Sequence, residues 1–400
     1  MIRFIACLVC LVALTADAQV TVSKGAGQKS SIDLSALTAS DAASQTFRAV
    51  LEADLIRSGW FVRAPAGQGE YAVRGSAQGS GGGITAQCTA FGRATQKTYL
   101  SKTYRSDAQG VRRLAHAVAD EIILAVTGRK GMNGMRIAMI GNRSGKKEVY
   151  LADADGQGLI QLTRDNNISV SPSWSPDGRQ LYYTSWLKGY ADIYQVDIGS
   201  GSRKRVSSLA GLNTGAAISP DGGSMALILS KDGNPELYVK NLSSGATTRL
   251  TTSRDAAEAS PSWSPDGQRI VYVSDQSGTG KPQLYVIGRQ GGAPRRLTSR
   301  GNQNVSPDWG PNGLIAYASL TGGKFQICVI NPETLEVKQL TTDWLDHEDP
   351  SWAPDGRHIL CARSQNYKSK IVVVDALGDP AFTLTDYQGD WYSPACSRGN

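Results

Sequence analysis

The phrase SPSWSPDG stands at 171–178 and again at 260–267, with close variants SPDWGPNG at 306–313 and DPSWAPDG at 349–356. A further copy, AAISPDGG at 216–223, keeps the turn and loses the tryptophan, and SPACSRGN at 393–400 keeps only the beginning. Aligned on the tryptophan column, the copies fall at Trp174, Ile218, Trp263, Trp309, Trp352 and Cys396, successive gaps of 44, 45, 46, 43 and 44 residues. Two more columns keep the same step. One pairs Leu or Val with Thr or Ser, from Leu162-Thr163 to Leu384-Thr385, and the other runs through Tyr150, Tyr194, Tyr238, Tyr285, Cys328 and Val372. A period of about 40–45 residues restricts a chain to repeat architectures.

Within one period, 171–207, SPSWS reads as a short strand and PDG as a tight turn, in which proline presets φ, aspartate bonds its own backbone and glycine takes positive φ. RQLYYTS, ADIYQVDI and SRKRVSS follow as three more strands. Four short antiparallel strands per repeat define a β-propeller blade. The tryptophan falls on one face of the first strand, placed to wedge against the next sheet. Residues 135–163 supply strands two to four with no first strand before them, and the tail WYSPACS supplies a first strand with nothing after it. The expected fold is therefore mainly β: a six-bladed β-propeller over 131–400, closed by a C-terminal strand that removes two exposed sheet edges.

Residues 19–130 lack the period and read as a small α/β domain. SDAASQTFRAVLEADLIRSG (40–59) and GVRRLAHAVADEIILAVTG (110–128) carry apolar residues at helical spacing and stop at glycines. Between them WFVRA, YAVRGSAQ, ITAQCTAFGR and TYLSKTYRS read as strands, with GSGGG (79–83) as a hairpin loop rather than a phosphate cradle, since a strand and not a helix follows it. RKGMNGM (129–135) is a linker. Residues 1–18 read as a signal peptide: one Arg, the apolar core FIACLVCLVAL (4–14) and the small-x-small site ADA. Such a core is shorter than the ~20 residues that span a bilayer, so the expected location of the mature protein is the periplasm.

The four cysteines after residue 18 are scattered, which argues for small buried apolar residues rather than a disulfide framework. A net charge of +7 with no run of Lys or Arg argues against a nucleic-acid partner. A serine-hydrolase reading fails for lack of G-x-S-x-G. The three histidines are His116, His347 and His358, and neither DHED (346–349) nor ADADG (152–156) has the ligand spacing of a metal site. What remains is recognition. The segments leading into the first strand of each blade, RDNNISV, GLNTGAA, RDAAEAS, GNQNVS, WLDHED and YQGDWY, are rich in Asn, Gln, Asp and Glu and should ring one mouth of the channel. Asn167, Asn213, Glu258, Asn304, Glu348 and Trp391 are the candidate partner contacts on that rim, with Trp391 the aromatic anchor. A second reading places a glycan or peptide in the channel.

The segments VLEADLIRSGWF (50–61), RRLAHAVADEIILAVTGRKG (112–131) running into MRIAMI, YLADADGQGLIQLT (150–163) and LDHEDPSWAPDG (345–356), with the repeated anchors, resemble the TolB family of the periplasmic Tol–Pal system. The resemblance covers nearly all of the chain after the signal segment. It implies a monomeric scaffold with no catalytic activity and no cofactor, which serves outer-membrane integrity and envelope constriction at cell division. The implied partners are the peptidoglycan-associated lipoprotein Pal on one propeller face, TolA through the N-terminal region, and further outer-membrane envelope proteins. QVTVSKGAGQKSSIDLSALTA (19–39) departs from the family pattern, as does Ile218 in place of tryptophan.

Overall fold

The computed structural model describes residues 27–80 and 83–398. The segment read as a signal peptide and the tip of the GSGGG hairpin lie outside the described residues.

Before the repeats, strands β1 (Ser30–Asp33), β2 (Leu37–Ala39), β3 (Phe61–Arg63), β4 (Tyr71–Ser80), β5 (Gly83–Gly92) and β6 (Thr98–Asp107) form one sheet in the order β3-β1-β4-β5-β6, with β2 also paired to β4. Helices α1 (Ala42–Arg57) and α2 (Val111–Thr127) pack their apolar faces, Phe47, Leu51 and Leu55 with Ala115, Val118 and Ile122, into its core. Asp41 starts α1 by accepting from the Ser44 N–H at 3.0 Å, and Ser44 returns a bond to the Asp41 backbone, a reciprocal cap. Gly128, at φ 69°, ends α2 in the left-handed region. Strands β1 and β2 escape sequence reading because they are short and lack alternation.

The six repeats are six four-stranded sheets. In the first blade the innermost strand is Trp391–Cys396, from the tail, paired antiparallel to Arg136–Gly141 with Trp391 opposite Gly141 and Cys396 opposite Ile137. The closure expected from the unmatched first strand is present. A Cβ on Gly141 would lie 2.5 Å from the Trp391 ring, so this position needs glycine for the seam to close.

The Leu-Thr column has a clear physical role. In five blades the threonine hydroxyl accepts the backbone N–H of the third strand, from Val149 to Thr163 (2.9 Å) and Leu237 to Thr251 (2.9 Å) through Leu284 to Thr298 (3.0 Å), Ile327 to Thr341 (2.9 Å) and Ile371 to Thr385 (2.9 Å). The hydroxyl satisfies a buried donor that the short outer strand leaves open. The tryptophans are wedges, but each packs on the blade before its own. Trp263 shares a core with Ala226, Ile228 and Leu237 of the third blade, and its indole N–H donates to the Ala217 carbonyl at 3.0 Å. Trp174 does the same across the seam, donating to Ala395 at 2.9 Å.

The α/β unit rests on the face of the ring that carries the PDG turns, against blades six and one. The Arg357 guanidinium lies 4.5 Å from the Trp60 ring centre and is held by Asp375 at 2.7 Å and Asp379 at 3.0 Å. Arg112 of α2 pairs with Asp155 of blade one, beside His116, whose Nδ1 lies 2.5 Å from Asp54. Asp120 accepts from the Asn133 and Gly134 backbone N–H groups at 3.1 and 2.8 Å and so fixes the linker. The opposite face, where each innermost strand begins, is the leading face. It carries the loops into the innermost strands and the hairpins between second and third strands.

Candidate partner face and central channel

Each innermost strand starts on the leading face and carries one β-bulge. The bulged residue takes left-handed φ in every blade: Ser171 (53°), Gly215 (66°), Ser260 (49°), Ser306 (51°), Asp349 (51°) and Ser393 (43°). The serine of the repeated Ser-Pro pair is thus a backbone corner. In the blade that carries Ile218 in place of tryptophan, Gly215 takes the same conformation at less cost. The bulges line a central channel of about 350 Å³, with Lys130 and Arg398 also in its wall.

The residue two places after the bulge ties one blade to the next. Ser262 Oγ accepts the Trp309 N–H at 3.0 Å, Asp308 Oδ2 accepts the Trp352 N–H at 2.7 Å, and Ser351 Oγ accepts the Cys396 N–H at 3.1 Å. Burial raises the Asp308 carboxyl above the usual aspartate range, opposed by Arg398 and by the Trp352 hydrogen bond. Asp349 spans three blades in the channel wall, accepting from Ser306 at 2.8 Å and Ser393 at 2.6 Å.

The six residues expected on the rim separate into two groups. Asn213, Glu258, Asn304 and Trp391 are buried, each as the first residue of its innermost strand, so their side chains are not presented for partner contact. Asn213 closes its own loop, donating to the Leu209 carbonyl at 2.7 Å and accepting from Ser207 and the Leu209 N–H. Asn304 donates to Arg300 O at 2.7 Å and Gln283 Oε1 at 2.8 Å. Trp391 packs edge-on against Tyr150 at 5.0 Å and Tyr387 at 5.4 Å. Glu258 accepts from Ser253 and Ser274, both at 3.0 Å, and is pushed up to about 7 by burial and by the neighbouring Glu236 carboxylate. These polar groups stitch loops together, a role that a polar loop composition does not distinguish from partner contact.

Asn167 and Glu348 are half-buried. Asn167 donates to the Trp186 carbonyl at 2.8 Å, and Glu348 has a carboxyl raised by burial and by Asp349 and Asp346. The most exposed aromatic side chains of the leading face are Tyr367 (100 %), Trp344 (83 %) and Tyr190 (75 %), none of them among the expected contacts. Trp344 opens the quoted WLDHED segment, so its signal was an aromatic in a polar loop.

His347 Nε2 lies 2.9 Å from Asp343, and its Nδ1 lies 3.8 Å from Cys361 Sγ, an order of groups that resembles a nucleophilic triad. The Cys361 thiol is completely buried and burial pushes it up, while burial pushes His347 down. A thiol without solvent access or thiolate character is an inert core residue. His116 and His358 lie against carboxylates, Asp54 and Asp355 (2.6 Å), on the other side of the ring. Among the described residues no group of three His, Cys, Asp or Glu side chains is disposed to hold a metal, and no helix is long and apolar enough to cross a membrane.

A closed six-bladed ring with an α/β unit docked on one face against blades six and one defines a six-bladed β-propeller protein. The family profile described as TolB beta propeller domain (PD40) matches residues 124–399. The chain belongs to this TolB β-propeller family. It is 30 % identical over 286 residues to the Tol-Pal system protein TolB of Bordetella pertussis, covering 72 % of this chain and 65 % of that one. It is 35 % identical over 207 residues to a protein TolB homolog of Chlorobium chlorochromatii, covering 51 % and 46 %. These matches thus span about half to two thirds of the length of the curated relatives. The crystal structure of TolB from Acinetobacter baumannii superposes with a TM-score of 0.81 at 26 % identity, over 92 % of this chain and 97 % of that one.

Proposed function

We propose that this protein is a non-catalytic periplasmic scaffold of the Tol–Pal type. On this reading the leading face of the propeller receives the peptidoglycan-associated lipoprotein Pal, and the N-terminal region engages TolA. The assembly would support outer-membrane integrity and envelope constriction. Family membership and the Tol-Pal name of the Bordetella relative support the system. The observation that carries the choice of face is the docking of the α/β unit on the opposite side, through Arg357 over Trp60 and Arg112 with Asp155. That contact occupies part of the turn face and leaves the leading face free of the α/β unit.

Of the rim residues, Asn167 and Glu348 are the ones whose side chains reach the surface. Capture of the cognate lipoprotein by the immobilised protein tests the reading. Asn167→Ala with Glu348→Lys should weaken capture about tenfold or more, in keeping with loss of a polar contact and a reversed charge. Equal capture by the double variant and the wild type removes this face. TolA capture by a protein lacking the residues before Ser30 tests the second contact, and undiminished capture rejects it.

A further inference from the structure

Exposed cations are densest in one sector of the leading face. Its hairpins and loops on blades six, one and two bring together Lys368, then Arg143, Lys146 and Lys147, then Arg164 and Lys188, all exposed. None of these six side chains is in an ion pair among the described residues. Exposed acids in the sector are few: Asp343, held by His347 at 2.9 Å, and Asp386. Blades three to five of the same face expose fewer cations, Lys231, Arg254, Lys281 and Arg300, beside Asp232 and Asp255, and Lys231 is paired to Asp232 at 2.5 Å. The sequence scatters these cations over more than two hundred positions, and only the ring makes them neighbours.

The exposed aromatics fall in the same sector. Trp344 lies in the loop into blade six, Tyr367 in the hairpin of blade six, and Tyr190 in the hairpin of blade two. Asn366 and Tyr367 form a two-residue turn with φ of 50° and 63°. Such a turn favours Asn followed by glycine. Here the glycine position holds a tyrosine whose ring is fully exposed and contributes nothing to the core, so the fold gives no reason for it.

We infer that this sector is a docking surface for an anionic phospholipid bilayer. Aromatic side chains at loop tips, fringed by lysines, match the requirements of a membrane interface, where Trp and Tyr settle at headgroup depth and cations meet anionic lipid. A protein partner fits the pattern less well. Lysine is depleted in protein interfaces, and an aromatic anchor there sits in a fully desolvated pocket rather than on a protruding tip. A bilayer is a deformable surface that accepts protruding tips without a complementary pocket. The inference goes beyond the scaffold reading and does not need it, because lipid alone is the ligand.

Co-sedimentation of the purified protein with vesicles decides the matter. Vesicles of phosphatidylcholine containing phosphatidylglycerol should retain the protein, retention should fall with added salt, and pure phosphatidylcholine should retain little. Lys146→Glu with Lys147→Glu should weaken partitioning about tenfold or more, and Trp344→Ala with Tyr367→Ala should weaken it at all salt concentrations. Lys204→Glu, on the outer wall of blade two, should behave as wild type. All of these side chains are exposed, so melting temperatures should be maintained. Equal retention by the two lipid compositions, or unaltered retention of the sector variants, overturns the inference. Capture of an acidic protein without any vesicle binding overturns it too, and assigns the sector to that partner. Lipoprotein capture is measured without vesicles, so the two readings fail separately.

Discussion

Asp308, in the innermost strand of the fifth blade, accepts the backbone N–H of Trp352 in the sixth at 2.7 Å. The neighbouring seams make the same join with Ser262 and Ser351. Truncation by Asp308→Ala leaves a buried N–H without an acceptor and should cost about 1–3 kcal/mol. Denaturant unfolding should show the loss as a lower midpoint. An unchanged midpoint would mean that these joins contribute little to the ring.

Glu258 gives stability a pH dependence of definite sign. Its carboxyl is pushed up to about 7 in the folded protein by burial and by Glu236, from the ordinary glutamate value of 4.5. Between those two values the folded state keeps a proton that the unfolded chain has released. This group therefore favours the fold most at low pH, and its contribution declines as pH rises from about 4.5 through 7. Glu258→Gln should flatten that part of the stability profile, measured by thermal unfolding across the window. A parallel profile for wild type and variant would show that Glu258 is not the group responsible.

Trp391 closes the ring rather than gripping a partner. It is fully buried against Tyr150, Tyr387 and the bare backbone of Gly141. Trp391→Ala should cost roughly 3–5 kcal/mol, with hydrogen exchange rising first in Arg136–Gly141, its partner strand. Gly141→Ala should also destabilise, since the new methyl meets the indole. If either substitution left exchange in that strand untouched, the seam would be held by something else.

Tyr367 predicts the opposite sign. With φ at 63° and a fully exposed ring, it occupies a turn position that glycine fits better. Tyr367→Gly should stabilise the protein by about 1 kcal/mol while removing an aromatic tip from the basic sector. A variant that is more stable and less able to bind is the expected outcome of differential melting and vesicle sedimentation.

The repeat period fixed the blade count and the closure because each blade reuses the same local devices. These are a left-handed bulge, most often at a Ser-Pro pair, a tight turn after it and a threonine hydroxyl bonded to the third strand, each recurring at the same place in the repeat. Local devices are legible in a sequence. The burial of Asn304 and Glu258 was not, because an amide that bonds its own loop and one that meets a partner sit in equally polar surroundings. Strands β1 and β2 were missed for a related reason, since their pairing with β3 and β4 comes from contacts distant in the chain.

The sequence by itself therefore determined the ring, its order and the strand that seals it, since hydrogen bonds and wedges repeat with the chain. The tertiary structure alone decided which face stays open and which side chains reach it. Lys146, Lys188 and Lys368 belong to three different blades, and a charge patch assembled across blades has no counterpart in any stretch of the chain.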